Sequence, residues 1–401
     1  RASKVRLKVP TQTVAPTMLM NLITRLLSRL PKVTTSQAKF LQAMFAALFT
    51  FQGKANRVNL HRYGAPSPRT QYRQQRKSVD FLAFNLATLA EMGARDGAKL
   101  AVMDATFLKK SGKHTHGLGW FYNGCNSRAE RGLEFSVIGL VDPGENTAYA
   151  IDARQSPATR EEGKSLLDYA LEQLGEALPR MPETVQHGLF DGAYAKHDFI
   201  HGVRALNLHA VSKLRKDAAM RHLYTGPRRP GPGAPKKYDG KVVYGDLSRW
   251  ESLGEVEEGV ELHTLIAWHD SLKLKIRVVR ASRVVNGKQK YVLLFSTDLK
   301  LDGMTVYSWY KSRFQIEFVF RDGKQHLGLA DGQMRDEKSL SYHVNLCLAA
   351  VNLLRLDERS RGNKVVSIAS IKRRKYNELL MEYIFSVLGL SPDILKTHPD
   401  L

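Results

Sequence analysis

The first 79 residues hold no aspartate or glutamate, so fifteen lysines and arginines stand unopposed until Asp80. Over the whole chain 61 basic residues face 39 acidic ones, a formal net charge of +22. An excess of that size implies a polyanionic partner, nucleic acid before a membrane surface. No apolar run is long enough to span a bilayer and no signal-peptide pattern is visible, so no membrane partner is expected. Cysteine is nearly absent. Cys125 and Cys347 lie far apart and form no metal-ligand cluster, which excludes a disulfide framework and fits a reducing cytosol. There are no internal repeats and no low-complexity domain, and neither helix-turn-helix nor zinc-finger spacing is distinct. The chain begins at Arg1 rather than Met, so native residues are expected ahead of it. Composition says where such a protein works and leaves open what it does there.

In the basic N-terminal part, 19–30 and 38–51 have helical spacing, and 79–91 resumes as an apolar helix. Between them a polar tract carries Lys54, Arg57, Arg62, Arg69, Arg73, Arg76 and Lys77 and is broken by Pro66 and Pro68. A flexible basic arm is the simple alternative, but 18–51 is too apolar for disorder throughout. Residues 1–96 are therefore read as a helical DNA-binding domain, with Arg57, Arg62, Arg73, Arg76 and Lys77 as candidate phosphate contacts.

From residue 97 the pattern becomes α/β. An apolar strand over 99–103 ends in Asp104 and opens into a turn carrying Lys109 and Lys110. Strands over 118–122 and 133–141 complete an antiparallel meander. A helix follows over 158–178, then a strand over 184–190 that ends in Asp191, a short helix to 200, and a strand over 203–211. Residues 212–298 read as a β-rich insertion with turns at 268–271 and at Asn286-Gly287. Beyond it come one amphipathic helix over 306–329, a buried helix over 339–356, a basic tract over 359–375 and a last helix over 376–388. The divisions that follow are 97–211 and 299–357 as two parts of one catalytic domain, 212–298 as the insertion, and 358–401 as a basic C-terminal helical region suited to dimerisation.

The 306–329 helix carries Tyr310, Arg313, Glu317 and Lys324 at intervals of three, four and seven, within one narrow arc. By itself this is the pattern of a solvated helix face with an i, i+4 ion pair. Asp104 and Asp191 likewise have an ordinary alternative, since aspartate is common in turns and caps. Taken together, Asp104, Asp191 and Glu317 form a candidate constellation of three carboxylates, which cannot crowd together ionised unless cations hold them. Mg²⁺ suits such oxygen ligands. His114 and His116 lack a matched second ligand set and read as a DNA contact or a surface turn.

These motifs, Asp104 in MDATFLKKSG, Asp191 in LFDGAYAK and Tyr310-x₂-Arg313-x₃-Glu317-x₆-Lys324, resemble the first aspartate, second aspartate and Y-R-E-K signature of the IS4-type DDE transposases. The resemblance covers 99–329. It implies an RNase H-like catalytic domain with a β-rich insertion, and Asp104, Asp191 and Glu317 as ligands of two Mg²⁺ ions, with Mn²⁺ able to substitute. It implies that Tyr310, Arg313 and Lys324 grip DNA phosphates. The implied activity is cut-and-paste transposition. The transposon's terminal inverted repeats are bound, the ends are cleaved through a hairpin, and the 3′-hydroxyls are joined to target double-stranded DNA. The implied setting is a homodimer on DNA, cytoplasmic and nucleoid-associated in a bacterium. Relatives hold a flipped base with a Trp shortly before the catalytic helix; the 286–290 turn has none, and Trp250 and Trp268 are the candidates. The alternatives are an RNase H-like metal-dependent nuclease or recombinase without strand transfer, and a catalytically silent DNA-binding relative.

Overall fold

The computed structural model describes residues 18–91, 99–228, 234–362 and 366–389. Five helices open it: α1 (Met18–Arg29), α2 (Thr35–Thr50), α3 (Arg57–Arg62), α4 (Pro68–Gln74) and α5 (Phe81–Glu91). Their starts are fixed by local chemistry. Thr34 and Gln37 form a capping box at α2, and Ser67 caps α4, where Pro68 occupies the first helical turn and needs no amide partner. The apolar residues of α1, α2 and α5 share one core with the sheet and with the later helices, as Leu26, Phe45 and Phe84 do.

The centre is a mixed sheet of twelve strands flanked by these N-terminal helices and by C-terminal ones. Strand β1 (Leu100–Lys109) pairs antiparallel with β3 (Arg128–Asp142), whose first residues carry β2 (Gly119–Asn123) and whose second half carries β4 (Thr147–Gln155). On its other side β1 runs parallel to β5 (His187–Phe190), and β5 parallel to β6 (His209–Leu214). Helices α6 (Leu166–Ala177) and α7 (His197–Ala205) make the two crossovers and cover one face. The sheet then continues through β7 (Met220–Leu223), β8 (Tyr238–Lys241), β9 (Glu251–Glu257), β10 (Val260–His269), β11 (Leu274–Val285) and β12 (Lys288–Ser296). Within it β12 lies antiparallel to β6, so these later strands extend the same sheet. Among the described residues no helix is long and apolar enough to cross a membrane.

Several local expectations are corrected. Strand β1 does not stop at Asp104 but pairs with β3 as far as Lys109, because Thr106, Phe107 and Leu108 prolong the ladder. The meander includes β4, which the small residues of TAYAIDARQ conceal. The helix expected over 158–178 starts only at Leu166, where Ser165 and Asp168 form its capping box. The strand expected over 203–211 is instead the end of α7 followed by β6, since Val203 completes the apolar face of the helix. Most consequential, the helix over 306–329 is two: α8 (Gly303–Ser312) and α9 (Gln315–His326). At the junction Arg313, Phe314, Ile316 and Glu317 donate to carbonyls three residues back rather than four. Ser312 also bonds back to the Trp309 carbonyl at 2.7 Å. Such a 3₁₀ turn overwinds the chain without proline or glycine.

Helix α10 (Glu337–Ser360) closes the edge of β4. Asn345 accepts from the Ala153 amide at 3.0 Å and donates to its carbonyl at 2.8 Å, and Asn352 does the same for Ala150. The two asparagines are two helical turns apart on one side, and Arg355 adds a bond to the Ala148 carbonyl at 2.9 Å. An edge that would otherwise template another strand is thus satisfied in place. Replacing Asn352 with alanine strands two buried main-chain groups, and a loss of about 3 kcal/mol in urea unfolding is expected.

A second tie runs from α10 to the segment after α9. His343, fully buried, donates Nε2–H to the Gly328 carbonyl at 2.9 Å, and burial pushes its pKa down to about 4. The unfolded chain then takes up this proton first, so the stability is complete above the ordinary histidine pKa and is lost as pH falls toward 4. Between pH 7 and pH 5 this residue should cost about 2 kcal/mol, and His343→Gln should flatten that part of the acid limb in urea titrations.

Candidate active site

Asp104 sits mid-strand on the face of β1 that α9 covers. Its Oδ1 accepts from the Ala105 amide at 2.8 Å and its Oδ2 from Arg313 Nη1 at 3.0 Å. The other arm of Arg313, Nη2, donates to Glu317 Oε1 at 2.8 Å. One guanidinium therefore bridges a strand carboxylate and a helix carboxylate that are 213 residues apart in sequence. The 3₁₀ turn is what aims Arg313 this way. Its side chain is only 11% exposed.

Asp191 follows β5 directly and opens a single 3₁₀ turn. Ser212 donates to its carbonyl at 3.1 Å, fixing the turn against β6, and a side chain at Gly192 would crowd the Lys213 carbonyl. The Arg313 guanidinium lies 5.8 Å from the centre of the Tyr310 ring, and burial pushes that phenol up to about 12, with the charge of Arg313 opposing and that of Asp191 adding to the rise. Asp104 is raised to about 6, first by burial, with Arg313 and the Ala105 amide opposing and the charges of Glu317 and Asp191 adding to the rise. Burial also works against the charge of Arg313, but Asp104 and then Tyr310, Asp191 and Glu317 outweigh it and keep the guanidinium ionised.

The structure thus brings Asp104, Asp191, Glu317, Tyr310 and Arg313 into one electrostatic neighbourhood. Lys324 stands apart, half-buried on α9 near Cys125 of the β2–β3 turn, and burial lowers its pKa. Lys109 is exposed at the end of β1, while Lys110 folds back onto the Gly332 carbonyl. In the N-terminal helices Arg57 and Arg76 both lie over the Tyr72 ring, at 5.2 and 5.3 Å from its centre, with Arg57 also bonded to Gln75. Arg62, Arg73 and Lys77 are exposed. Tyr194, buried beside Asp104 and Asp191, is a neighbour that no spacing pattern announces.

Among the described residues no group of three or more histidine, cysteine, aspartate or glutamate side chains stands close enough to hold a metal ion. Asp104 and Glu317 are instead bridged by Arg313. The donor set is all oxygen, however, and a burial-raised carboxylate among other negative charges is a place short of positive charge, which is what a hard divalent cation fits.

A family model described as DDE superfamily endonuclease matches residues 34–275. The matched span takes in Asp104 and Asp191 and ends before Glu317. Against curated proteins the chain finds no match.

Proposed function

The chain belongs to the DDE superfamily endonucleases, and from that premise we propose that it is a divalent-metal-dependent nuclease acting on DNA through Asp104, Asp191 and Glu317. The observation that carries this reading is the single guanidinium of Arg313 bonded to both Asp104 and Glu317, with Asp191 near enough for its charge to act on Asp104. Partly buried carboxylates from three distant segments gain nothing structural by meeting. When bound there, Mg²⁺ or Mn²⁺ would supply water activation and neutralise charge developing on the scissile phosphate. The chain's own part is to orient. Arg313 has the planar fork for a phosphate once released from the carboxylates, Tyr310 offers a phenol beside it, and Lys324 adds a point charge along α9. The net charge of +22 and the acid-free N-terminal segment, with Arg62, Arg73 and Lys77 exposed, support double-stranded DNA as the partner.

The finer form of the proposal is a cut-and-paste transposase of the IS4 type, with an RNase H-like catalytic domain over 97–211 and 299–357 and a β-rich insertion over 212–298. It would bind terminal inverted repeats through residues 1–96, cleave through a hairpin with two metal ions, and join the ends to target DNA. A homodimer is supported by the outward apolar residues Met381, Ile384 and Val387 on the last helix, α11 (Ile368–Leu388). The setting proposed is the bacterial cytoplasm and nucleoid. One observation favours the second reading, a nuclease or recombinase without strand transfer: Trp250 is buried and Trp268 leans on Tyr238, so neither is free to take a flipped base. Incubating the purified protein with inverted-repeat DNA, Mg²⁺ and a target plasmid separates the two. Nicks, hairpins and insertions together support transposition. Nicks alone leave the nuclease, and no cleavage of any DNA overturns both.

A further inference from the structure

Strand β2 presents two large aromatic side chains to solvent. Trp120 is 73% exposed and Tyr122 is 63% exposed, while Phe121 between them is buried and anchors the strand. Alternation along a strand puts the two exposed rings on one face. The register identifies that face. Trp120 pairs with Arg131 and Asp104 pairs with Val137, and Arg131 and Val137 are an even number of residues apart on β3. The rings therefore lie on the face that carries Asp104, along β3 from it by roughly 20 Å at the usual strand rise.

Between the two, Leu133 and Phe135 of that face are buried in the core that Val319 and Phe320 of α9 share, and the charge lies around the rings and on α9. Arg131 is exposed beside Trp120, Lys113 is exposed in the loop leading into β2, and neither has a carboxylate partner among the described residues. Glu130, the acid nearest the rings on β3, is already held by Asn123, Asn126 and Arg128. At the hairpin turn Cys125 comes near Lys324, which α9 carries two turns beyond Glu317. Helix α9 so leads from Glu317 at the carboxylates to Lys324 beside the hairpin that carries the rings. A protein surface of this composition fits bases that have left the duplex, because rings stack on their faces while the cations meet the backbone.

We propose that Trp120 and Tyr122, with Arg131, form a stacking platform for an unpaired DNA strand leading away from the carboxylate site. This rests on the proposed nuclease reading and adds to it a substrate feature: a single-stranded segment that reaches roughly 20 Å from the point of cleavage.

The test is fluorescence anisotropy of the full chain, without divalent metal, on a blunt duplex and on the same duplex with a single-stranded extension. Trp120→Ala with Tyr122→Ala should weaken binding of the extended DNA at least about fivefold per ring and leave the blunt duplex within about twofold. Trp120→Phe should retain most of the affinity, and 2-aminopurine in the extension should be quenched by the wild type and not by the double variant. Equal weakening on both DNAs, or no weakening, overturns the platform even if the wild type cleaves DNA. A smaller assembly of the double variant in sedimentation also overturns it, assigning the rings to a protein contact. Failure of the wild type to bind any DNA overturns the platform and the nuclease reading together.

Discussion

Asp191→Ala is expected to abolish divalent-metal-dependent DNA cleavage, a fall of roughly a thousandfold or more, while DNA affinity stays within about twofold. The two readouts part because different residues carry them. Asp191 is a carboxylate at the end of β5 and repels phosphate, so its removal takes no attractive contact from the DNA. It is also the gentlest of the three acids to remove. Asp104 and Glu317 each hold one arm of Arg313, and deleting either leaves a half-paired buried guanidinium. Cleavage assays on a nickable duplex, beside gel-shift titrations of the same DNA, make the comparison. Undiminished cleavage would sink the assignment of Asp191.

Arg313→Gln should act on stability and chemistry in opposite ways as divalent ions are added. Without them the variant faces Asp104 and Glu317 across an unneutralised gap. Glu317 is 39% exposed and partly screened, so the expected loss is modest, on the order of 2 kcal/mol. Adding Ca²⁺ or Mg²⁺ should then raise the melting temperature of the variant more than that of the wild type, because the wild type must first withdraw Arg313. Cleavage should nonetheless fall by about a hundredfold, through loss of the phosphate fork. Thermal melts across an ion titration decide it. An equal response in both proteins would show that Arg313 does not occupy the place of an ion.

Asp191 was legible as an acid at a strand end because VQHGLF breaks into Asp-Gly, and the strand does end at Phe190. The intervals among Tyr310, Arg313 and Glu317 were legible too, since spacings of three and four keep residues neighbourly in a 3₁₀ turn as in an α-helix. The break itself was not. Nothing in YKSRFQIE resembles a breaker, and the i→i−3 bonds at Arg313 and Phe314 coincide with the pull of two carboxylates on one guanidinium. A consequence is that Lys324 does not share an unbroken helix with Tyr310, so the two are not held at a fixed axial distance. Trp120 and Tyr122 stood in plain sight as aromatics on a strand, but only strand register told which face they share.

By itself, then, the sequence determined the charge, the mixed α/β order and the three carboxylates with their nearest basic partners. Those are properties of composition and of short-range periodicity, which local sterics enforce. The tertiary structure decided what bridges Asp104 and Glu317, where α8 ends and α9 begins, and that α10 seals the edge of β4 through Asn345 and Asn352. Each of these joins segments far apart in the chain. Their contacts form only when the sheet and its helices close on one another, and no local pattern carries that information.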